Sequence, residues 1–221
     1  RRAAGKNIRV AYALGDTLIH TMIDPISGAY YVQPDGKTPG LKAEYFNNAT
    51  LSGSPVFSGT DSTINFSWND QAPAPGMARK CYSVRWTGYV IPQYSGWYIL
   101  QFQTNNDGMA YIDNEPAINR MGRLDATPLS MRRYFEKGRK YALRLEIFVP
   151  GTGGRAILGW NPPVKTNKYP KRILEAVELA KKSDIAVICA GWDSMYETEG
   201  YDKDEGITLP GFQEELINAV A

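Results

Sequence analysis

The 221-residue sequence has few of the residues that build metal centres and nucleophile–base pairs. His20 is the single histidine, so neither a histidine-rich metal site nor a Ser-His-Asp arrangement has support. Cys81 and Cys189 are the only cysteines, and nothing in their spacing indicates a disulfide. Because Cys189 lies in the apolar run IAVICAG, we expect its thiol to be buried as a small apolar side chain.

Long apolar runs and an excess of one charge are also missing. No apolar stretch approaches the roughly 20 residues that cross a bilayer. The formal net charge is +2 and the basic residues are scattered, which argues against nucleic acid or a membrane surface as a partner. No glycine-rich phosphate loop supports a nucleotide-binding protein. The last residues, ELINAVA, stop inside a helical pattern, so we expect a piece of a longer protein.

The middle of the chain has the pattern of an all-β domain. Short segments rich in β-branched and aromatic residues alternate with glycine, proline, asparagine and aspartate, which is typical of a sandwich or barrel. In one of them every second residue from Tyr141 to Ile147 is a large apolar one, which predicts a half-buried strand. The predicted strands are 41–46, 63–68, 82–90, 96–104, 108–113, 140–149 and 155–160.

The two ends of the chain have a different pattern. Residues 169–184 have the apolar spacing of a helix, and 185–191 form a short continuous apolar run typical of a strand covered on both faces. Residues 209–221 begin another helix, and NIRVAYALG (7–15) has the pattern of a strand of the same sheet. Helices alternating with buried strands indicate a parallel α/β sheet.

We therefore predict a mixed fold, in which an antiparallel β-sandwich or barrel module is inserted into a partial α/β sandwich domain with a parallel sheet. Residues 1–36 would form the first part of the α/β domain and a linker, 37–163 the inserted module, and 164–221 the second part. Proline- and glycine-rich joints flank the module on both sides, where an insertion is tolerated.

Carboxylates are concentrated in MYETEGYDKDEGITLPG, residues 195–211. This segment follows the carboxyl end of the predicted strand 185–190, the edge at which α/β sheets bind ligands. For Asp204 and Glu205 a solvated loop is the better interpretation. For Glu197 and Asp202, ion pairing or turn capping is as well supported as a functional role.

The same segment resembles the second domain of glycoside hydrolase family 3, the β-glucosidase family. The family pattern is a buried strand and a glycine, then E-x-E-G-x-D-R, L-P-x-x-Q and a helix. Lys203 replaces the arginine of that pattern. The stretches IRVAYALG and AVELAKKSDIAVICAG also match. The positions that carry the pattern here are Glu197, Thr198, Glu199, Gly200, Tyr201, Asp202, Leu209, Pro210 and Gln213.

This resemblance implies a retaining β-glycosidase that removes terminal, non-reducing β-linked glucosyl residues from an oligosaccharide or aryl glycoside. It implies that Glu199 is the acid/base, with Glu197 as the alternative, and that Asp202, Tyr201 and Trp192 bind substrate. The nucleophile of the family is an aspartate in a preceding (β/α)₈ barrel, which this sequence lacks. We therefore expect the fragment alone to be inactive, its partner to be that barrel, and no cofactor to be needed. A periplasmic or secreted parent is favoured.

The predicted β-module resembles the domain first described in the anthrax protective antigen, in the stretches GLKAEYFNNATLSGSPVFSG, VRWTGYVIPQYSGWYILQFQTNNDGMAYIDNEPAI and ILGWNPP. That domain is a β-sandwich found in carbohydrate-active enzymes and adhesins, and it is inserted into the second domain of some family 3 members. The resemblance implies a module that shapes substrate access. The alternative is an autonomous carbohydrate-binding or adhesive module on an α/β scaffold.

Within this module we expect Arg120 and Arg123, in the loop INRMGRLDATP, to contact sugar at the rim. Aromatic rings in such strands usually belong to the core. Asn106 and Asp107 are weak calcium candidates, but a β-turn with Asp107-Gly108 at its tip is favoured, and no metal is expected. The residues considered for stacking or hydrogen bonding to sugar are Trp68, Trp86, Trp97, Trp160, Asn69, Asp70 and Arg79.

Overall fold

The computed structural model describes residues 8–15, 23–123, 128–163, 171–191, 209 and 212–221. The chain divides into two compact units. One consists of Arg1–Ile19 together with Pro163–Ala221, and the other of His20–Pro162. We call the first the split unit and the second the β-module. Both chain ends therefore belong to one unit, with the β-module inserted between them, and the predicted mixed architecture is confirmed.

In the described residues, the β-module forms eleven strands arranged in two antiparallel sheets. The larger sheet has the order β3-β2-β5-β10-β7-β8, with the short β1 also paired to β5. Its strands are β1 (Tyr31–Val32), β2 (Leu41–Phe46), β3 (Phe57–Asp61), β5 (Tyr82–Val90), β7 (Asp107–Ile112), β8 (Glu115–Asn119) and β10 (Tyr141–Val149). The smaller sheet, in the order β4-β11-β6-β9, contains β4 (Asn65–Ser67), β6 (Gly96–Gln103), β9 (Leu129–Phe135) and β11 (Arg155–Asn161).

The core of the β-module follows from the alternation of side chains along its strands. In β10 the large apolar residues from Tyr141 to Ile147 are buried at every second position, as predicted. Trp86 of β5 is completely buried and its Nε1 donates a hydrogen bond to Asp61 Oδ2 at 2.7 Å. The Tyr45 hydroxyl donates to the same oxygen at 2.6 Å. Burial, with this bond to Asp61, raises the pKa of Tyr45, so the phenol stays protonated and available as a donor.

The split unit contains two helices in the described residues, α1 (Lys171–Ala180) and α2 (Gln213–Val220), which pack against each other. Ile173 of α1 and Leu216 of α2 are buried. Both helices lie inside the ranges predicted from the apolar spacing, and both are shorter. Helix α2 begins only at Gln213, four residues after the predicted start.

The strands predicted for the split unit are not formed in its described residues, 8–15 and 185–191. The predicted burial of Cys189 is wrong, since the thiol is exposed. Ile185 and Val187 are 80% and 82% exposed. An apolar run becomes a buried strand only when strands pair with its backbone and helices cover both of its faces. Among the described residues of this unit, only α1 and α2 could supply that cover, and no strand pairs with the run.

Candidate active-site segment and module surfaces

Residues 192–208, which we call the acidic segment, lie outside the described residues. They include five residues predicted for catalysis or substrate binding: Trp192, Glu197, Glu199, Tyr201 and Asp202. Their roles stay predictions. Gly191 and Leu209 are described on its two sides. The structure therefore describes how the chain is held where it enters and leaves this segment.

Gly191 is held by the side chain of Gln213, the first residue of α2. The Gly191 N–H donates to Gln213 Oε1 at 2.7 Å, and Gln213 Nε2 donates to the Gly191 carbonyl oxygen at 2.9 Å. The Gln213 side chain is buried, with only 7% of the residue exposed. The amide thus satisfies both backbone polar groups of Gly191, as a neighbouring strand would.

Leu209 is held by the next residue of the same helix. Its N–H donates to Glu214 Oε1 at 3.3 Å. Two consecutive side chains at the start of α2 therefore bind the chain on both sides of the acidic segment. The sequence indicated Gln213 only as part of the L-P-x-x-Q pattern, and no role was predicted for Glu214. A polar pair at the start of a helix was the signal that could have pointed to these contacts.

The first segment of the chain also reaches α2. Gly15 is buried and has a φ of +67°, a backbone conformation that glycine adopts without strain. A Cβ atom at this position would lie 2.6 Å from Leu216 Cδ2. The close approach brings the first and last stretches together within the split unit. In the described residues this contact is made without the sheet that was predicted to join the two stretches.

Arg120 was predicted to contact sugar at the rim of the β-module, and that expectation is wrong. The residue is completely buried, and its backbone N–H donates a hydrogen bond to the Gly108 carbonyl oxygen at 2.9 Å. Arg123 is half-buried and keeps some surface. Periodicity could not separate these two arginines, since they lie three residues apart in one loop.

Three of the four tryptophans considered for sugar stacking belong to the core. Trp86 is fully buried, and Trp68 and Trp160 are nearly so. Trp97 differs, because it lies near the start of β6 and is 45% exposed. The Arg132 guanidinium lies 4.2 Å from the centre of its ring, and the ring of Tyr134 packs edge-on at 5.7 Å. One face of Trp97 is therefore already occupied by a cation.

A cleft of about 460 Å³ opens in the β-module beside Tyr30 and Trp160. The two rings are 5.2 Å apart, and the Tyr30 hydroxyl donates to Gln93 Oε1 at 3.2 Å. Exposed Asp24 and Asn161 add a carboxylate and an amide to the lining. Small-molecule sites typically measure roughly 300–1,000 Å³ and combine apolar walls with a few polar groups. The volume of this cleft lies within that range.

The calcium candidates lie at the start of β7. Asp107 Oδ1 accepts a hydrogen bond from the Gly122 N–H at 2.7 Å, and Asn106 Nδ2 donates to Asn105 Oδ1 at 2.8 Å. The predicted position of the turn, with Asp107-Gly108 at its tip, is wrong. Both residues belong to β7, and the bend is at Asn105 and Asn106. Calcium binding at this pair stays a prediction. In this structure the Asp107 carboxylate fastens the loop that follows β8.

The described part of the chain contains neither a cluster of metal ligands nor a membrane-spanning helix. No group of three or more histidine, cysteine, aspartate or glutamate residues there is arranged to hold a metal ion. None of the helices found there is long and apolar enough to span a bilayer.

Residues 37–172 match the family described as the PA14 domain, over more than half of the chain. The chain belongs to the PA14 domain family. The β-module is accordingly its PA14 module, and the predicted likeness to the protective-antigen domain is confirmed.

Relatives extend this likeness in two directions. A β-glucosidase of Rhizobium radiobacter is 30% identical over 98% of this chain and 27% of its own length. The anti-sigma-I factor RsgI3 of Acetivibrio thermocellus is 32% identical over 58% of this chain and 20% of its own. The crystal structure of a Kluyveromyces marxianus β-glucosidase superposes with a TM-score of 0.54 and 25% identity, covering 95% of this chain and 26% of that one.

The predicted resemblance to β-glucosidases with an inserted PA14 domain is thereby confirmed. The match to the Rhizobium radiobacter protein includes both segments of the split unit as well as the PA14 module, whereas the match to RsgI3 covers little more than half of the chain. The chain spans about a quarter of the length of the β-glucosidases that match nearly all of it.

Proposed function

We propose that this chain is the part of a retaining β-glucosidase that carries the acid/base carboxyl group, with a PA14 module that shapes access to it. The substrate would be a β-linked oligosaccharide or aryl glycoside with a terminal, non-reducing glucosyl residue. The observation that carries this proposal is the similarity to the Rhizobium radiobacter β-glucosidase along 98% of the chain. An isolated PA14 domain would not match in the split unit.

Glu199 is our candidate for the acid/base, and Glu197 is the alternative. A retaining enzyme needs two carboxyl groups roughly 5–5.5 Å apart, one as nucleophile and one to protonate the leaving oxygen and later activate water. The acid must hold its proton near neutral pH, which a neighbouring negative charge such as Asp202 favours. Trp192 and Tyr201 offer aromatic surface for a sugar ring, and Arg123 is the remaining candidate for a rim contact.

The nucleophile would come from a barrel domain of the same, longer chain. Tyr12, Ile185 and Val187 support such a partner, because they expose about four-fifths of their surface in the split unit. Apolar side chains exposed to that degree indicate a surface that another part of the protein covers. We keep 1–36, 37–163 and 164–221 as the proposed domain division. The chain alone would then turn over no aryl β-glucoside, and measured turnover would contradict this part of the proposal.

The acid/base assignment is tested by the leaving-group dependence of the full-length enzyme. An acid is needed to expel a poor leaving group such as phenol, and hardly at all for 2,4-dinitrophenol. We expect Glu199→Gln to lower the rate with phenyl β-glucoside by about 10²–10⁴-fold. With the dinitrophenyl substrate, the rate of the first step, which forms the glycosyl-enzyme, should be nearly unchanged. Added azide should restore turnover by forming a glycosyl azide.

Glu197→Gln is the matched comparison, two residues away with the same change of charge. If Glu197→Gln gives the leaving-group signature and Glu199→Gln does not, the two roles are exchanged. If neither variant gives it, the acid/base is not in this segment and the proposal is wrong.

A second candidate function is autonomous carbohydrate binding by the PA14 module. The cleft beside Tyr30 and Trp160 favours it, since it combines aromatic walls with the exposed polar side chains of Asp24 and Asn161. RsgI3 adds support, because its similarity to this chain covers 58% of it rather than the whole.

A glycan array probed with this chain separates the two functions. Millimolar or tighter binding that Asp24→Ala and Asn161→Ala both weaken would favour the second function. If the chain binds no glycan on the array, the substrate-shaping role alone remains for the module.

A further inference from the structure

The Gln213 side chain is arranged to fix the backbone at the entry to the acidic segment. Its oxygen accepts from the Gly191 N–H at 2.7 Å and its nitrogen donates to the Gly191 carbonyl at 2.9 Å. Two antiparallel hydrogen bonds from one planar amide fix both the distance and the orientation of the peptide they bind. Because Gln213 is buried, loss of either bond leaves a polar group without water to replace it.

Both sides of the acidic segment are tied to the same turn of one helix. Gln213 holds Gly191, and the adjacent Glu214 accepts from the Leu209 N–H at 3.3 Å. Helix α2 is in turn packed on α1, and its Leu216 meets Gly15. The start of α2 is thus a packed base from which the chain enters and leaves the segment.

We infer that Gln213 is a positioning residue for the acid/base of the proposed glycosidase, which it serves by fixing Gly191. This inference rests on the proposed function. Gln213 touches neither substrate nor reacting atoms in this assignment. It acts through the backbone, and the direction of the peptide at Gly191 sets the starting point of the eight residues that lead to Glu199. A displacement of about 1 Å at a distance from the chemistry can lower a rate by about 100-fold.

The chain offers a graded set of variants. Gln213→Leu has a similar size and removes both hydrogen bonds. Gln213→Glu keeps an acceptor for the Gly191 N–H but, when ionised, cannot donate to the Gly191 carbonyl. Gln33→Leu is the matched control, because it makes the same substitution in the β-module, away from the acidic segment. It removes the hydrogen bond from Gln33 Nε2 to Thr60 Oγ1 at 2.9 Å.

The test measures kcat/KM of the full-length enzyme with aryl β-glucosides of increasing leaving-group pKa. For phenyl β-glucoside we expect a loss of about 10- to 100-fold in Gln213→Leu and a smaller one in Gln213→Glu. For 2,4-dinitrophenyl β-glucoside the loss should stay within about 3-fold, since that departure needs little acid. Gln33→Leu should match the wild-type enzyme on both substrates.

A purely structural role would lower the rates with all leaving groups equally, and that result overturns the inference. So does the absence of any loss in Gln213→Leu. The Glu199→Gln and Glu197→Gln enzymes are measured in parallel. If one of them has the leaving-group signature and Gln213→Leu does not, this inference alone fails. If neither glutamate variant has it, the proposed function fails and the inference with it.

Should Gln213→Leu fail to fold, Gln213→Glu tests the inference by the same comparison of kcat/KM for the two substrates. Amide hydrogen exchange at Gly191 gives an independent readout in this chain. We expect faster exchange at Gly191 in Gln213→Leu and unchanged exchange in β10, which belongs to the other unit. Unchanged exchange at Gly191 would overturn the inference.

Discussion

The two units of this chain bury their apolar residues to very different degrees. In the PA14 module, Trp86 and Leu145 are completely buried between the two sheets. In the split unit, Ile185 and Val187 are 80% and 82% exposed although they belong to an equally apolar run. Composition alone does not distinguish the two cases. They differ in whether other strands and helices cover the apolar run.

This difference suggests where each unit obtains its stability. The PA14 module completes its own core and should unfold as a cooperative unit. The described helices of the split unit pack on each other but leave segments 8–15 and 185–191 largely exposed. We therefore expect mutations in the module to act on the whole module. Mutations in the split unit should act locally.

The largest expected effect is at Trp86, in the centre of the module. Trp86→Ala removes a fully buried ring and its hydrogen bond to Asp61, and should lower the free energy of unfolding of the module by about 3–5 kcal/mol. Urea denaturation followed by tryptophan fluorescence measures it.

Trp97→Ala is the matched control, because it removes the same side chain from an exposed position of the same module. Nearly half of this residue is exposed and its ring contacts Arg132 and Tyr134, so its cost should stay below about 1.5 kcal/mol. Equal costs at the two positions would contradict the burial difference between these tryptophans.

A smaller and more local effect is expected at Gly15. Gly15→Ala places a side chain on a residue with φ +67° and 2.6 Å from Leu216 Cδ2, and should cost about 1–3 kcal/mol. Hydrogen exchange of α2 peptides in moderate urea measures this, with β10 peptides expected to be unchanged. Gly191→Ala serves as the control in the same unit. No change in α2 would show that the first stretch of the chain does not stabilise this helix.

The smallest effect is expected on the module surface at Asp35. The Thr38 hydroxyl and the backbone N–H groups of Lys37 and Thr38 hydrogen-bond its carboxylate and lower its pKa to about 2. Because the folded value lies below the unfolded one, this stabilisation is present above the unfolded pKa and is lost as the pH falls towards 2. Carboxyl carbon shifts should titrate there in the wild type and at a higher pH in Thr38→Val, which removes the hydroxyl bond and keeps the two backbone bonds.

Much of the PA14 module could be predicted from alternation and turn residues. Strands 41–46 and 82–90 have the predicted bounds. The missed strands include β3, β8 and β9, which contain glycine, proline or adjacent arginines, and each is defined by its pairing with another strand. Such pairing is a tertiary effect that local pattern does not contain.

The candidate site was predictable in part. The resemblance identified the acidic segment and the L-P-x-x-Q pattern, but it could not show that Gln213 binds the backbone of Gly191, 22 residues earlier. It also could not separate buried Arg120 from half-buried Arg123, because burial within a loop depends on the tertiary structure around it. The apolar pattern of 185–191 predicted a buried strand, and the structure does not form it. Burial of such a run depends on the elements that cover it, which the pattern does not specify.

Hydrogen exchange along the whole chain tests most directly whether a self-contained PA14 module is inserted into a unit that depends on further contacts. We predict that amides in β5 and β10 exchange at least about 100-fold more slowly than those of residues 8–15 and 185–191, with α1 and α2 between them. Protection of residues 185–191 equal to that of β10 would contradict this account, since it would require a complete sheet in the split unit.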